Sequence, residues 1–455
     1  MHSWTLAIFQ AGAASVVFLW AVDAWRSHTL RFSRSPLQLP LIGLIGIGLI
    51  QLLPLGGQSS GGALPVEPVR SLSLDPYVTR LVLVQISALL IYFAAALAFI
   101  DSPRRLRVVV RTIIVFSFLL AIFGLIQFYT SPGMIYWLKD SKQSQPFGPF
   151  INRHHFAGYM ELALALPLGL LFSGAIDRDR RILYAFFAFL MAVALFMTNS
   201  RGGIISFLAE TAFLAVLWII GHRSDAAVED DEARRARLRG IVARAAISVA
   251  LLLVVIFGVL SFGGENVLDR FFGTVNAQDP TTGRAHFWGV ALNVIADHPV
   301  IGAGLGSFGL AYTRYDTRSG MFRVEQVHND YLQVLTDAGV VGAVLGIFFI
   351  IMLFRTGLAR RESKDKFRSG VASGALAGCF AVLVHSFFDF TLHTTSNALL
   401  FLVLAALATI NGRVEEEKRV VRRRRRRHHQ PTPLQPITGH QDQPAGSQPQ
   451  VKLGS

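Results

Sequence analysis

Hydrophobic positions along the chain come in long unbroken blocks, separated by short polar stretches, rather than in the two-residue or three-to-four-residue alternation of a soluble fold. A bilayer core about 30 Å thick needs roughly 20 apolar helical residues to cross it. Eleven stretches qualify, near 4–23, 37–55, 79–101, 108–127, 156–175, 182–199, 203–221, 241–262, 335–354, 371–389 and 396–411. The pattern predicts an all-α polytopic membrane protein. The first stretch has no small-residue cleavage site and leads into a second apolar run, so it reads as a retained anchor. Between the eighth and ninth stretches lies a polar excursion over about 263–334, too long to be a simple connector. Within it Ala285, Trp288, Leu292 and Ile295 recur at helix spacing, and Pro299 stops the run. At least one short helix on the outer membrane surface is expected there.

Composition agrees with lipid as the main solvent: 52% of residues are apolar and only 16% are charged. The net charge of +14 would suggest nucleic acid in a soluble chain. Here the arginines sit in the loops after the first, third, fifth, seventh and ninth stretches, as with Arg26, Arg104, Arg178, Arg234 and Arg360, which marks those loops as cytoplasmic. The amino terminus then falls outside and the carboxyl terminus inside. Residues 1–412 form the membrane domain, and 413–455 a basic tail without apolar periodicity, expected to be disordered. Its run Arg422 to Arg427 suits anionic lipid headgroups, at about 1 kcal/mol per basic residue near the surface, rather than nucleic acid. The single cysteine, Cys379, excludes an intrachain disulfide.

Several polar clusters fall on the outer side. The turn Thr198-Asn199-Ser200-Arg201-Gly202-Gly203 joins the sixth and seventh stretches; Ser200 is placed to cap the following helix, and its free amides with Arg201 make an anion site. Arg284 repeats that logic at the start of the outer-loop helix, with Arg270 upstream. His328 precedes Asn329, Asp330 and Tyr331 at the amino end of the ninth stretch, where the helix dipole disfavours an imidazolium and leaves a ring able to accept a proton from a hydroxyl. Asn152, Arg153 and His155 open the fifth stretch. His385 and Asp389 close the tenth with a spacing of four, which favours a structural pair between them, with His393 just beyond. Glu161 and Glu210 lie inside apolar runs, with partners that the sequence does not name. Gly302-Ala303-Gly304-Leu305-Gly306 reads as a flexible turn, and no His or Cys spacing suits a metal.

Taken together, Asn152 to Gly158, Ser200-Arg201-Gly202-Gly203, Thr282-Gly283-Arg284 with Trp288, His298-Pro299 with Gly302 and Gly304, and His328-Asn329-Asp330-Tyr331-Leu332 resemble the O-antigen ligase and polymerase superfamily of bacterial envelope enzymes over roughly 145–400. The resemblance implies a C-type, metal-independent glycosyltransferase of the inner membrane, without cofactor, whose site faces the periplasm. It implies an undecaprenyl-diphosphate-linked glycan as donor, with a glycan, lipid A core or another hydroxyl as acceptor, and inversion at the anomeric centre. Arg201 and Arg284 would hold the diphosphate, and His328 would orient or deprotonate the acceptor. Relatives often keep both termini in the cytoplasm with one further span, twelve in all, and the eleven counted here depart from that near the amino terminus. Two alternatives remain: a protein O-oligosaccharyltransferase, which shares the donor half-site, and a transporter or flippase for a lipid-linked or anionic precursor. The latter would need charges through the membrane depth and broken helices in two matching halves.

Overall fold

A computed structural model describes residues 3–55, 71–141, 145–224, 284–317, 324–361, 363 and 365–410. Apolar blocks become helices because lipid offers no partner for backbone N–H and C=O groups, which must bond within their own segment. Twelve α-helices are described: α1 (Ser3–Ser27), α2 (Leu39–Gln51, led by a 3₁₀ turn Pro36–Gln38), α3 (Pro76–Phe99), α4 (Pro103–Thr130), α5 (Arg153–Phe172), α6 (Arg178–Met197), α7 (Arg201–Ser224), α8 (Arg284–Asp297), α9 (Phe308–Tyr315), α10 (Asp330–Arg361), α11 (Lys366–His385) and α12 (Thr395–Thr409). A two-stranded antiparallel ribbon, β1 (Met134–Ile135) with β2 (Lys139–Asp140), follows α4. Eight helices are long and apolar enough to cross a bilayer; the Pro36–Gln51 segment and α12 are apolar but shorter. These ten correspond to ten of the eleven predicted stretches. The stretch at 241–262 and the basic tail lie outside the described residues, as does Arg270.

Large apolar side chains such as Ile8, Phe18 and Leu119 are exposed on the outer faces of the bundle, where lipid is their natural solvent. The chain is a multi-pass membrane protein. Its helix starts follow side-chain chemistry: Asp75, Ser102, Asn152 and Asp365 each accept a backbone N–H from the first turn of α3, α4, α5 and α11. At the centre runs α5, buried from Phe156 to Leu170 and surrounded by α4, α6, α7, α11 and α12. Its contact with α11 is backbone against backbone. A Cβ on Gly169 would overlap the Gly370 carbonyl and Gly374, and one on Gly374 would overlap the Ala165 carbonyl. Small residues permit this approach where no hydrophobic effect draws helices together.

The helix predicted within the polar excursion is present as α8, ending at Asp297 before Pro299. Its buried face is Val290, Ala291 and Val294, packed with Phe308, Ala311 and Tyr312 of α9, while Leu292 stays exposed. The tract Gly302 to Gly306 is not the flexible turn its glycines suggested. Helix α10 breaks at Gly339 (φ 63°, ψ −161°), and the 299–305 segment fills the break. Val340 and Val341 donate to the carbonyls of Pro299 and Val300 at 2.9 and 3.1 Å, and Ala303 donates to Thr336 at 2.8 Å. The Gln51 amide closes the joint, donating to Ile301 and Asp337 carbonyls and accepting from Leu305 N–H. Three glycines here have positive φ: Gly302 lies against the Asp337 backbone, and Gly304 and Gly306 lie against the Ser73 and Val78 side chains, which leaves no room for a Cβ.

Gly339→Ala tests this joint. The new Cβ would strain the left-handed backbone and overlap the Val300 carbonyl. A loss of roughly 1–3 kcal/mol is expected, read as a lower unfolding midpoint in detergent; an unchanged midpoint would show that the loop yields.

Candidate active site

Four helix ends meet at one end of the bundle: the starts of α5, α7 and α10 and the end of α11, with α8 beside them. The turn from Ser386 to Thr394, between α11 and α12, carries Asp389, which is 1% exposed. A carboxylate so buried needs donors, and it has them. His328 Nδ1 lies 3.1 Å from Oδ1, Arg284 Nη2 lies 3.5 Å from Oδ2, and the Phe390 N–H donates to Oδ1 at 2.9 Å. Burial alone would raise the Asp389 pKa, but the His328 hydrogen bond and the nearby His154 and Arg284 side chains hold it below the usual carboxylate range. Since the carboxylate only accepts, a His328 N–H at Nδ1 is the donor of this contact. His328 itself adopts φ +59°, a rare conformation for a non-glycine residue. Its ring stacks on Phe287 of α8 (5.9 Å, 30°) and meets the edge of Phe390 (4.8 Å, 78°).

The His328 backbone hands over to α10 through Asn329. Its Oδ1 accepts the N–H groups of Tyr331 and Leu332, and its Nδ2 donates to the Phe387 carbonyl at 3.2 Å. Tyr331 donates its hydroxyl to the Leu383 carbonyl at 2.6 Å and stacks on Phe387, so its polar tip is spent on scaffold. Asn152 caps α5, accepting from His154 N–H, and the His155 ring packs edge-on against Phe390 at 4.7 Å. Arg153 stands at the head of α5.

Ser200 caps α7 as its sequence position suggested: Oγ accepts the Gly203 N–H at 3.2 Å and bonds His154 Nδ1 at 2.8 Å. A Cβ on Gly202 would come within 2.9 Å of His385 Nε2 and 3.1 Å of the Phe388 Cβ, so the start of α7, with Arg201, lies against the end of α11. Arg284 and His328 thus share one carboxylate. Arg201 borders the same turn through Gly202 and His385, and the Asp389 N–H bonds the His385 carbonyl at 3.1 Å.

The expected side-chain pair between His385 and Asp389 does not form. His385 Nδ1 faces both oxygens of the fully buried Glu161 at 3.1 Å, and Asp389 turns to His328 and Arg284. The helix ends at His385, so a spacing of four no longer places the two side chains on one face. Both Glu210 oxygens are buried without a hydrogen-bond partner.

A further histidine–carboxylate pair, at His393, has no counterpart among the sequence expectations. His393 Nδ1 lies 2.8 Å from Asp330 Oδ1, and Nε2 lies 4.0 Å from Asp337 Oδ2. Asp330 Oδ2 also accepts the Ser386 hydroxyl at 2.8 Å and the Leu392 N–H at 3.4 Å. Two carboxylates seven residues apart at the head of an apolar run were the available signal; their partner lies 63 residues downstream of Asp330.

A family model described as O-Antigen ligase matches residues 186–347. Over that stretch the chain is similar to the O-antigen ligase family. The matched stretch runs from within α6 into α10 and includes Arg201, Arg284, His328 and Asp330. Asp389, His393 and the head of α5 lie outside the match and complete the same cluster in space. Glycosyl transfer of the O-antigen ligase or polymerase kind, in a membrane enzyme, is the general activity of this family. No curated protein matches the chain significantly.

Burial would lower the His393 pKa, but the Asp330 hydrogen bond and the Asp330 and Asp337 charges outweigh it and raise the ring above its usual 6.5. Its contribution to stability is therefore complete below pH 6.5 and lost as pH rises through the raised value. Unfolding midpoints in detergent should fall on the alkaline side of neutrality, and less so in His393→Asn. Parallel profiles for the two proteins would contradict the pairing.

Proposed function

We propose that the chain transfers a glycan from a polyprenyl-diphosphate carrier, undecaprenyl diphosphate in the bacterial inner membrane, to an acceptor hydroxyl at the periplasmic face. The observation that carries this reading is one buried carboxylate, that of Asp389, which joins a guanidinium to an imidazole. The acceptor hydroxyl gives its proton to His328 Nε2 while its oxygen attacks the anomeric carbon. The bond from that carbon to the diphosphate oxygen breaks on the opposite side, inverting the centre. Polyprenyl diphosphate leaves with its charge matched by Arg284 and Arg201, so fixed cations fill the role a metal would otherwise take. Asp389 keeps the ring's proton on Nδ1 and stabilises the imidazolium once Nε2 is protonated. The sequence reading put the helix dipole in charge of the ring; a carboxylate at 3.1 Å is the closer influence.

His155, Arg153 and Asn152 line the head of α5 beside the proposed donor site, and Tyr331 acts as scaffold. Ligation to lipid A core, polymerisation and transfer to a protein hydroxyl share this donor half. A transporter would need interrupted helices in matching halves. The break in α10 is filled by the 299–305 segment, which fits a fixed scaffold better than a moving gate.

Purified protein in detergent, supplied with a polyprenyl-diphosphate glycan and an acceptor, tests the reading. His328→Ala is expected to cost about 10²–10⁴-fold in turnover, and Arg284→Ala or Asp389→Asn about 10²–10³-fold. Transfer at the wild-type rate by all three would refute the assignment.

A further inference from the structure

The Asp389–His328 pair is carried by two segments that have little regular structure of their own. Asp389 sits in the turn between α11 and α12, and His328 sits one residue ahead of the cap of α10, in a backbone conformation that costs energy. Both must be held from outside. The turn is held by Asp330, whose Oδ2 takes Ser386 Oγ and Leu392 N–H and whose Oδ1 faces His393 Nδ1. The strained segment is held by Gln333. Its Oε1 accepts the Val327 N–H at 2.8 Å, and its Nε2 donates to Asp337 Oδ1 at 3.0 Å. Asp337 Oδ2 in turn accepts the Gly306 N–H at 3.0 Å, which fixes it to the plugging loop. The two arms meet at His393, with Nδ1 on Asp330 and Nε2 4.0 Å from Asp337.

We propose that His393 and Asp330 are positioning residues for glycosyl transfer, one imidazole tying the turn that carries Asp389 to the segment that carries His328. The proposal rests on the reading of Asp389 and His328 given above. His393 takes no proton from the acceptor. Its Nδ1–H holds the Asp330 carboxylate in the orientation that collects Ser386 and Leu392, and so sets the distance from Asp389 to His328. Misplacement by about 1 Å costs on the order of 10²-fold in rate, so the effect falls on turnover and spares ground-state binding.

The test uses full-length protein in detergent, with a polyprenyl-diphosphate glycan donor and a saturable acceptor, and compares His393→Ala, His393→Asn and His393→Gln. An asparagine amide reaches the Nδ1 position and still donates to Asp330; a glutamine amide extends toward Asp337 and leaves Asp330 short. Expected is a kcat loss of tenfold or more in the Ala and Gln variants with KM nearly unchanged, and recovery of most of kcat in the Asn variant. Asp389→Asn combined with His393→Ala should be no slower than Asp389→Asn alone, because both act through one pair. Should the Ala variant unfold, Ser386→Ala replaces it, removing one of the hydrogen bonds to Asp330; its kcat should fall while KM stays. Wild-type kcat in the Ala variant, equal damage in Asn and Ala variants, or multiplying losses in the double variant would each overturn the proposal. Full activity in His328→Ala would instead overturn the reading beneath it.

Discussion

A carboxylate withdrawn from water must be surrounded by donors or it does not stay charged, and Asp389 meets that demand by drawing three parts of the chain to itself. Arg284 arrives from the start of α8, His328 from the approach to α10, and the Phe390 N–H from its own turn. None of the three could be removed without leaving a buried charge short of a partner. The site is therefore also a structural knot, and its geometry follows from satisfying one buried group.

That knot is kept in place by contacts of a different kind. Deep in the bundle, α5 and α11 touch through glycine and alanine, so their relative height is set by backbone overlap rather than by adaptable side chains. The buried Glu161–His385 pair lies near the end of this contact and holds the last turn of α11 to α5. From there the chain turns through Ser386 to Asp389 with few residues in which error can accumulate. On the far side, the loop from Pro299 to Gly306 and the break at Gly339 exchange hydrogen bonds that an unbroken helix would have kept to itself. The orphaned amides of α10 become the anchor for the segment that follows α8.

Polar groups crowd the same end of the bundle for a related reason. Helix starts expose free N–H groups and helix ends expose carbonyls, and an apolar interior tolerates neither. Asn152, Ser200 and Asn329 answer that need at the heads of α5, α7 and α10, and Ser200 and Asn329 also bond a neighbour from another element. The first turn of α5 is tied to α12 separately, by the His155 carbonyl, which accepts from Asn397. Capping and site assembly thus draw on the same helix ends, some inside the O-antigen ligase match and some outside it.

What the sequence determined alone is whatever depends on neighbours along the chain. Apolar blocks long enough for a bilayer gave ten of the described helices, Ser200 was placed as the cap of α7, and α8 was found with its end before Pro299. The motifs around Arg201, Arg284 and His328 were legible because each is local. Tertiary structure decided who pairs with whom. A spacing of four suggested His385 with Asp389, yet α11 stops at His385, and the partners come from α5, α8 and the segment ahead of α10. Glycines at 302, 304 and 306 suggested mobility, yet their positive φ serves close packing on Asp337, Ser73 and Val78. His393 drew little notice as a lone residue because its meaning lies in carboxylates more than fifty positions away. Local patterns record the solvent each segment must satisfy; the pairing of buried polar groups depends on which helix ends meet, and no window along the chain contains that.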